Sequence, residues 1–88
     1  MLFRPPLTLT VNNAGLALEA GLRAIEEGQT EIDLGELAAV DSAAVATLLA
    51  WQRAARARGA ALRFANVPAN LLGLAALYGV DELLRPVP

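Results

Sequence analysis

The chain has 88 residues, with no cysteine, no histidine and no lysine, and its seven arginines against nine acids give a net charge of −2. That length fits one domain, and the missing residue types remove disulfides, thiolate metal sites, the usual general base and the commonest metal ligand. An acidic chain with a pI near 4.9 is not built to gain affinity by neutralising nucleic-acid phosphates.

Hydrophobic residues make up 56% of the sequence, much of it alanine. The longest charge-free run, Phe64 to Val80, is interrupted by Asn66, Pro68, Asn70 and two glycines, too broken a stretch to span a bilayer. Met1 to Pro6 shows no charged region leading into an apolar stretch and a small-residue cleavage site, so the expected location is cytoplasmic.

In chain order, Leu7-Thr8-Leu9-Thr10-Val11 alternates with period two, which predicts a strand with Leu7, Leu9 and Val11 on its buried face. Asn12 or Asn13 is placed to cap a helix in which Leu18, Leu22 and Ile25 recur at i, i+4 and i+7, and Gly28 ends it. Glu31-Ile32-Asp33-Leu34 alternates as a second strand. Gly35 to Ala39 then lead to Val40-Asp41-Ser42, where a short β-like run passes directly into an alanine-rich helix reaching about Arg58.

After Gly59, Ala61 to Asn66 predicts a further strand with Leu62 and Phe64 inward and Arg63 outward. Pro68 suits the first turn of a helix, and Leu71, Leu74, Ala75 and Tyr78 repeat at helical spacing. Gly79 falls where a left-handed C-terminal cap belongs, with Val80 as its hydrophobic contact and Asp81 to Leu84 as a final turn. Short links between alternating strands and helices imply an α/β domain spanning residues 1–88, with its core at about 7–84. The expected architecture is a small mixed sheet of about four strands with three to four helices packed on it.

The helix beginning at Ser42 has two unlike sides. At 100° per residue, Ala44, Leu48, Trp51 and Ala55 form one stripe flanked by Val45 and Gln52, the better core face. Opposite lie Ser42, Ala43, Ala46, Thr47, Leu49, Ala50, Arg53, Ala54 and Ala57, a face with a single arginine among small and apolar groups. A flank so bare of charge suits close approach by another surface, with Arg53 available to an acid on the partner. Trp51 sits in the core stripe by this layout, although tryptophan also serves as an interface anchor. Arg53, Arg56, Arg58 and Arg63 otherwise read as a solvated basic end that favours the helix dipole.

At the junction itself, Ser42 or Asp41 reads first as an N-cap. The second reading is that Asp41, Ser42 and the first helical turn are contacted by a partner, and a cap can do both. Glu31, Asp33 and Glu36 read as solvated acids without the density of carboxylates a metal needs. No phosphate-binding glycine loop, nucleophile elbow or acid/base pair occurs, so neither catalysis nor a cofactor is expected.

Ile32, Leu34, Val40, Asp41, Ser42, Ala43, Ala44 and Val45, followed by Gly59, Leu62 to Asn66 and Leu77-Tyr78-Gly79-Val80, resemble the pattern of the STAS family. That pattern is an alternating strand, then hydrophobic-Asp-Ser/Thr-Ser/Thr-Gly-hydrophobic opening a helix. Family members often begin with a two-stranded hairpin, and here Met1 to Arg4 is all that remains for its first strand, which is expected to be short or absent. In phosphoregulated members the acceptor is the second hydroxyl residue, which falls on Ala43, and the family glycine is replaced by Ala44.

The lost acceptor and the Leu-Tyr-Gly-Val ending look most like the small cytoplasmic subunit of the bacterial ABC transporter that maintains outer-membrane lipid asymmetry. The resemblance therefore implies a non-catalytic subunit that binds the ATPase subunit, without nucleic acid or direct membrane insertion. Asp41, Ser42, Ala43, Ala46, Thr47, Leu49, Ala50 and Arg53 are the expected contact residues. The alternative it implies is an anti-sigma-factor antagonist bound by a serine kinase, with phosphate on Ser42.

Overall fold

The structure is a computed structural model that describes residue 5 and residues 8–80. The first-strand expectation at Met1 to Arg4, the Leu7 position and the final turn at Asp81 to Leu84 lie outside the described residues. In chain order the elements are β1 (Thr8–Leu9), α1 (Ala14–Glu26), β2 (Glu31–Asp33), β3 (Ala39–Val40), α2 (Ser42–Ala57), β4 (Arg63–Ala65) and α3 (Ala69–Leu77). This is the α/β alternation the sequence implies, with three helices and four short strands among the described residues.

The strands form two parallel pairs among the described residues, where a single mixed sheet was expected. β1 pairs with β3, Thr8 opposite Ala39 and Leu9 opposite Val40, and β2 pairs with β4, with Ile32 opposite Phe64. In β1 and β4 burial follows the period of two, with Leu9 and Phe64 inward and Thr8 and Arg63 outward, whereas in β2 Ile32 and Asp33 are both buried. Parallel pairing is what helical crossovers between successive strands produce.

Helices α1 and α2 pack against each other, and their closest approach runs through Gly21 and Trp51. A Cβ at Gly21 would fall inside the Trp51 indole. The ring is fully buried, and its Nε1–H donates to the Leu18 carbonyl at 3.1 Å. A buried indole needs such a partner, and a backbone carbonyl of the neighbouring helix supplies it. The deepest residues of α1 are accordingly the small Ala17, Gly21 and Ala24 together with Ile25. Leu18 and Leu22, which share the i, i+4, i+7 spacing with Ile25, are half-buried and pack against the core. On α2 the buried stripe holds Ala44, Val45, Leu48, Trp51 and Ala55, as the 100° layout requires.

Helices α1, α2 and α3 end in the same way. Gly28, Gly59 and Gly79 have positive φ, and in each case the following residue donates to the carbonyl five positions back: Gln29 to Ala24, Ala60 to Ala55 and Val80 to Ala75. This closing pattern satisfies carbonyls that the helix leaves unpaired, and a residue without a Cβ adopts it without strain.

Two apolar residues depart from the expected burial. Val11, placed inward by the alternation, is 76% exposed because the strand stops at Leu9. The chain turns at Thr10, whose carbonyl accepts from Asn13 and Ala14. Tyr78 is 56% exposed, since it follows the last helical residue of α3 and only Leu71 and Ala75 of that face reach the buried core. Pro68 stands at the N-cap of α3, one position before the first turn, with its carbonyl accepting from Leu71 and Leu72.

Candidate functional site

The β3–α2 junction is organised by one carboxylate. Asp41 has extended backbone at the N-cap of α2, and its Oδ1 accepts from the Ala43 amide at 2.8 Å, satisfying one of the helix's unpaired N–H groups. Its Oδ2 accepts from the Val11 amide at 3.1 Å, thirty residues away in sequence. Of the two cap readings, the cap is therefore Asp41, and Ser42 is the first residue of α2, exposed.

The Thr10–Asn13 turn that receives this bond is fixed from its other side. Asn13 occupies the N-cap position of α1 without capping it, since its side chain folds back along the chain. Its Oδ1 accepts from the Thr10 amide at 3.0 Å and its Nδ2 donates to the Thr8 carbonyl at 2.7 Å. Thr10 Oγ1 accepts from the Asn12 amide at 3.3 Å. The turn is thus tied to β1 by Asn13 and to α2 by Asp41. Val11, at its tip, points its side chain to solvent.

The expected contact face of α2 divides into three. Ser42, Ala46, Arg53 and Ala57 are exposed and fall within about 60° of one another on the helix, forming a narrow continuous strip. Ala43, Leu49, Ala50 and Ala54 are half-buried beside it, and Leu49 and Ala54 pack against the core. Thr47 departs from the open flank expected of it: it is only 4% exposed, and its hydroxyl donates to the Ala43 carbonyl at 2.7 Å. A β-branched residue bonding back to the carbonyl four positions earlier hides its polar atom and offers its methyl to the interior.

The strip is narrower than the sequence layout implied, and Val11 is the neighbour the layout missed. The signal for it was the Asn12-Asn13 pair, which breaks a strand, read against an alternation that continued through Val11.

A second carboxylate corrects the reading of the strand acids. Asp33, expected to be solvated, is 8% exposed at the end of β2. Its Oδ1 accepts from the Gly35 amide at 2.8 Å and from Asn66 Nδ2 at 3.1 Å, joining the turn after β2 to the turn after β4. Asn66 itself has φ 56°, a left-handed conformation that asparagine tolerates better than most residues. Nearby, Asn70 Nδ2 donates to the Ala38 carbonyl at 3.1 Å, fastening the start of α3 to the β2–β3 link.

No set of three His, Cys, Asp or Glu side chains among the described residues is grouped as a metal site. No helix among the described residues is long and apolar enough to cross a membrane. What the junction provides is a capped helix start, an exposed hydroxyl at Ser42, a strip of small residues and a fastened apolar turn.

These features define a small α/β domain whose distinguishing element is a strand-to-helix junction presented at its surface. The chain belongs to the STAS family: residues 8–86 match the family model described as "Mlab, STAS domain". No match was found among curated proteins, nor among solved structures. Membership fits an accessory role or an anti-sigma-antagonist role, in a family that is generally not enzymatic.

Proposed function

We propose that the protein is a non-catalytic accessory subunit that binds the ATPase subunit of a bacterial phospholipid-transporting ABC complex and supports its assembly and activity. The observation that carries this reading is Ala43. It occupies the position where phosphoregulated relatives hold their acceptor, and an alanine there has no atom for a phosphate. Its amide and carbonyl are taken up by Asp41 and Thr47. The description of the matched family points the same way.

In this reading Ser42, Ala43, Ala46, Leu49, Ala50 and Arg53 form the contact. Asp41 and Thr47 support it from within. Binding energy stabilises the assembly-competent form of the ATPase, and the subunit sits at the cytoplasmic face of the membrane through its complex. Small exposed side chains on a capped helix lose little entropy when covered, which suits constitutive association.

The test is co-purification with the ATPase subunit of the same organism's lipid-transporting ABC system, together with its ATPase rate. Wild type is expected to co-purify and to raise the rate. Ala46→Arg, on the exposed strip, is expected to remove both effects while the domain stays folded. Retention of association and activity by a folded Ala46→Arg variant rejects the strip.

The second reading, an anti-sigma-factor antagonist, draws on Ser42, an exposed hydroxyl at a helix N-terminus where added negative charge is favoured. Stoichiometric phosphate on Ser42 after incubation with an anti-sigma kinase, read by mass spectrometry, favours that reading. Its absence favours the constitutive adaptor.

A further inference from the structure

Among the described residues Val11, Leu16 and Leu77 are the most exposed large apolar side chains, and Val11 is the one of the three carried by a turn instead of a helix. It is 76% exposed, yet the turn that carries it is held by the bonds of Asn13 to Thr10 and Thr8, of Thr10 to Asn12, and of Asp41 to Val11 itself. An apolar side chain at a turn tip gains nothing for the isolated domain from being immobilised in water. It does gain in association, because the ordering cost is met before the partner arrives. The Asp41–Val11 bond ties the backbone of this turn to the residue just before Ser42, at the end of the exposed strip of α2.

The surroundings define the chemistry of the occupant. The charge of Asp41 at this end is engaged, since both of its oxygens accept backbone N–H groups at the positive end of α2. Val11, Asn12, Ser42 and Ala46 around it carry no charge and are exposed. Such a patch matches an uncharged, apolar area of another protein.

We infer that Val11 is an apolar anchor of the ATPase-binding surface and that Asp41 is the positioning residue that presents it, through the Val11 amide and not by touching the partner. This rests on the accessory-subunit reading above and names a contact on the β1–α1 turn, outside α2.

Asparagine separates the two duties of Asp41. It caps a helix as well as aspartate does, but it has one side-chain oxygen where two are needed. Asp41→Asn therefore keeps the bond to Ala43 or the bond to Val11, and the cap favours the former. Val11→Ser removes the apolar group and leaves the backbone N–H in place.

The experiment measures affinity for the purified ATPase subunit for wild type, Asp41→Asn, Val11→Ser and the double variant, with amide hydrogen exchange at Val11. Val11→Ser is expected to weaken binding about tenfold, the scale of losing one buried valine side chain. Asp41→Asn is expected to weaken it several-fold, to speed exchange at Val11, and to leave thermal stability near wild type. In the Val11→Ser background, Asp41→Asn is expected to have almost no further effect on affinity, because the group it positions is gone.

Wild-type affinity in both single variants overturns the inference while leaving the accessory-subunit reading intact. Full additivity in the double variant overturns the positioning role, since Asp41 would then contact the partner directly. Failure of the wild-type chain to bind the ATPase at all overturns the reading beneath, and this inference with it.

Discussion

Asp33 and Asp41 stand at the C-terminal ends of different parallel pairs, and both use their carboxylates to join turns that are distant in sequence. Asp33 Oδ1 brings the Gly35 amide and the Asn66 side chain together, 8% exposed. Asp41 joins the Ala43 and Val11 amides, half-buried, with an exposed serine and an exposed valine on either side. The bond types are alike, and what differs is what each one holds. The Asp33 connection closes a turn over the core, so its consequence is stability. The Asp41 connection fixes an apolar residue at the surface, and in the proposed reading its consequence is association.

Removing the Asp33 carboxylate is the largest test of that contrast. Asp33→Ala leaves the Gly35 amide and the Asn66 side chain without their acceptor in a poorly solvated place, an expected loss of about 2 kcal/mol in a denaturant titration. Affinity for the ATPase, corrected for the folded fraction, is expected to stay at the wild-type value. A marked loss of affinity in the folded Asp33→Ala variant would place the binding surface at the β2–β4 end and undo the distinction.

Asp41→Ala has the opposite profile. Loss of an N-cap costs about 1 kcal/mol, and release of an exposed turn adds little to that. Its expected effect on association exceeds that of Asp33→Ala although its effect on stability is smaller. The pair forms a crossed comparison. If both variants lose stability and affinity in the same proportion, the two carboxylates share one structural role.

The unequal legibility of these residues has a physical origin. The core stripe of α2 was readable because Ala44, Leu48, Trp51 and Ala55 obey the helical period and nothing competes with it. The inward Leu62 and Phe64 were readable for the same reason in a strand. The helix-ending glycines announce themselves by type.

Period alone could not reveal Gly21 beneath the Trp51 ring, which depends on where two helices cross. Nor could it reveal the burial of Asp33, which alternation directs outward until the following turn folds over it. Val11 was misplaced because the bonds Asn13 makes with Thr10 and Thr8 end the strand, and Thr47 because at 100° per residue it lies only about 40° from Trp51, nearer the core stripe than the exposed strip. The junction was visible in Asp41-Ser42, but the long-range partner of its carboxylate was not, since no sequence spacing links residue 41 to residue 11.

The smallest expected effects come from a matched pair on the exposed strip of α2. Ala46 and Ala57 are both exposed and share nearly one direction, separated by three helical turns, roughly 16 Å at 1.5 Å per residue. Glutamine is a good helix former without charge, so Ala46→Gln and Ala57→Gln are each expected to change stability by less than about 0.5 kcal/mol. Only position matters between them. Ala46 lies one turn from Ser42 and the Val11 turn, and added bulk there is expected to weaken ATPase binding several-fold. At Ala57, beside the arginine end, a change within about twofold is expected, the size of a rim contact. Should Ala57→Gln weaken binding more than Ala46→Gln, the partner would sit over Arg53 and Arg56. The rigidity that Asp41 gives to Val11 would then have to be explained without the ATPase.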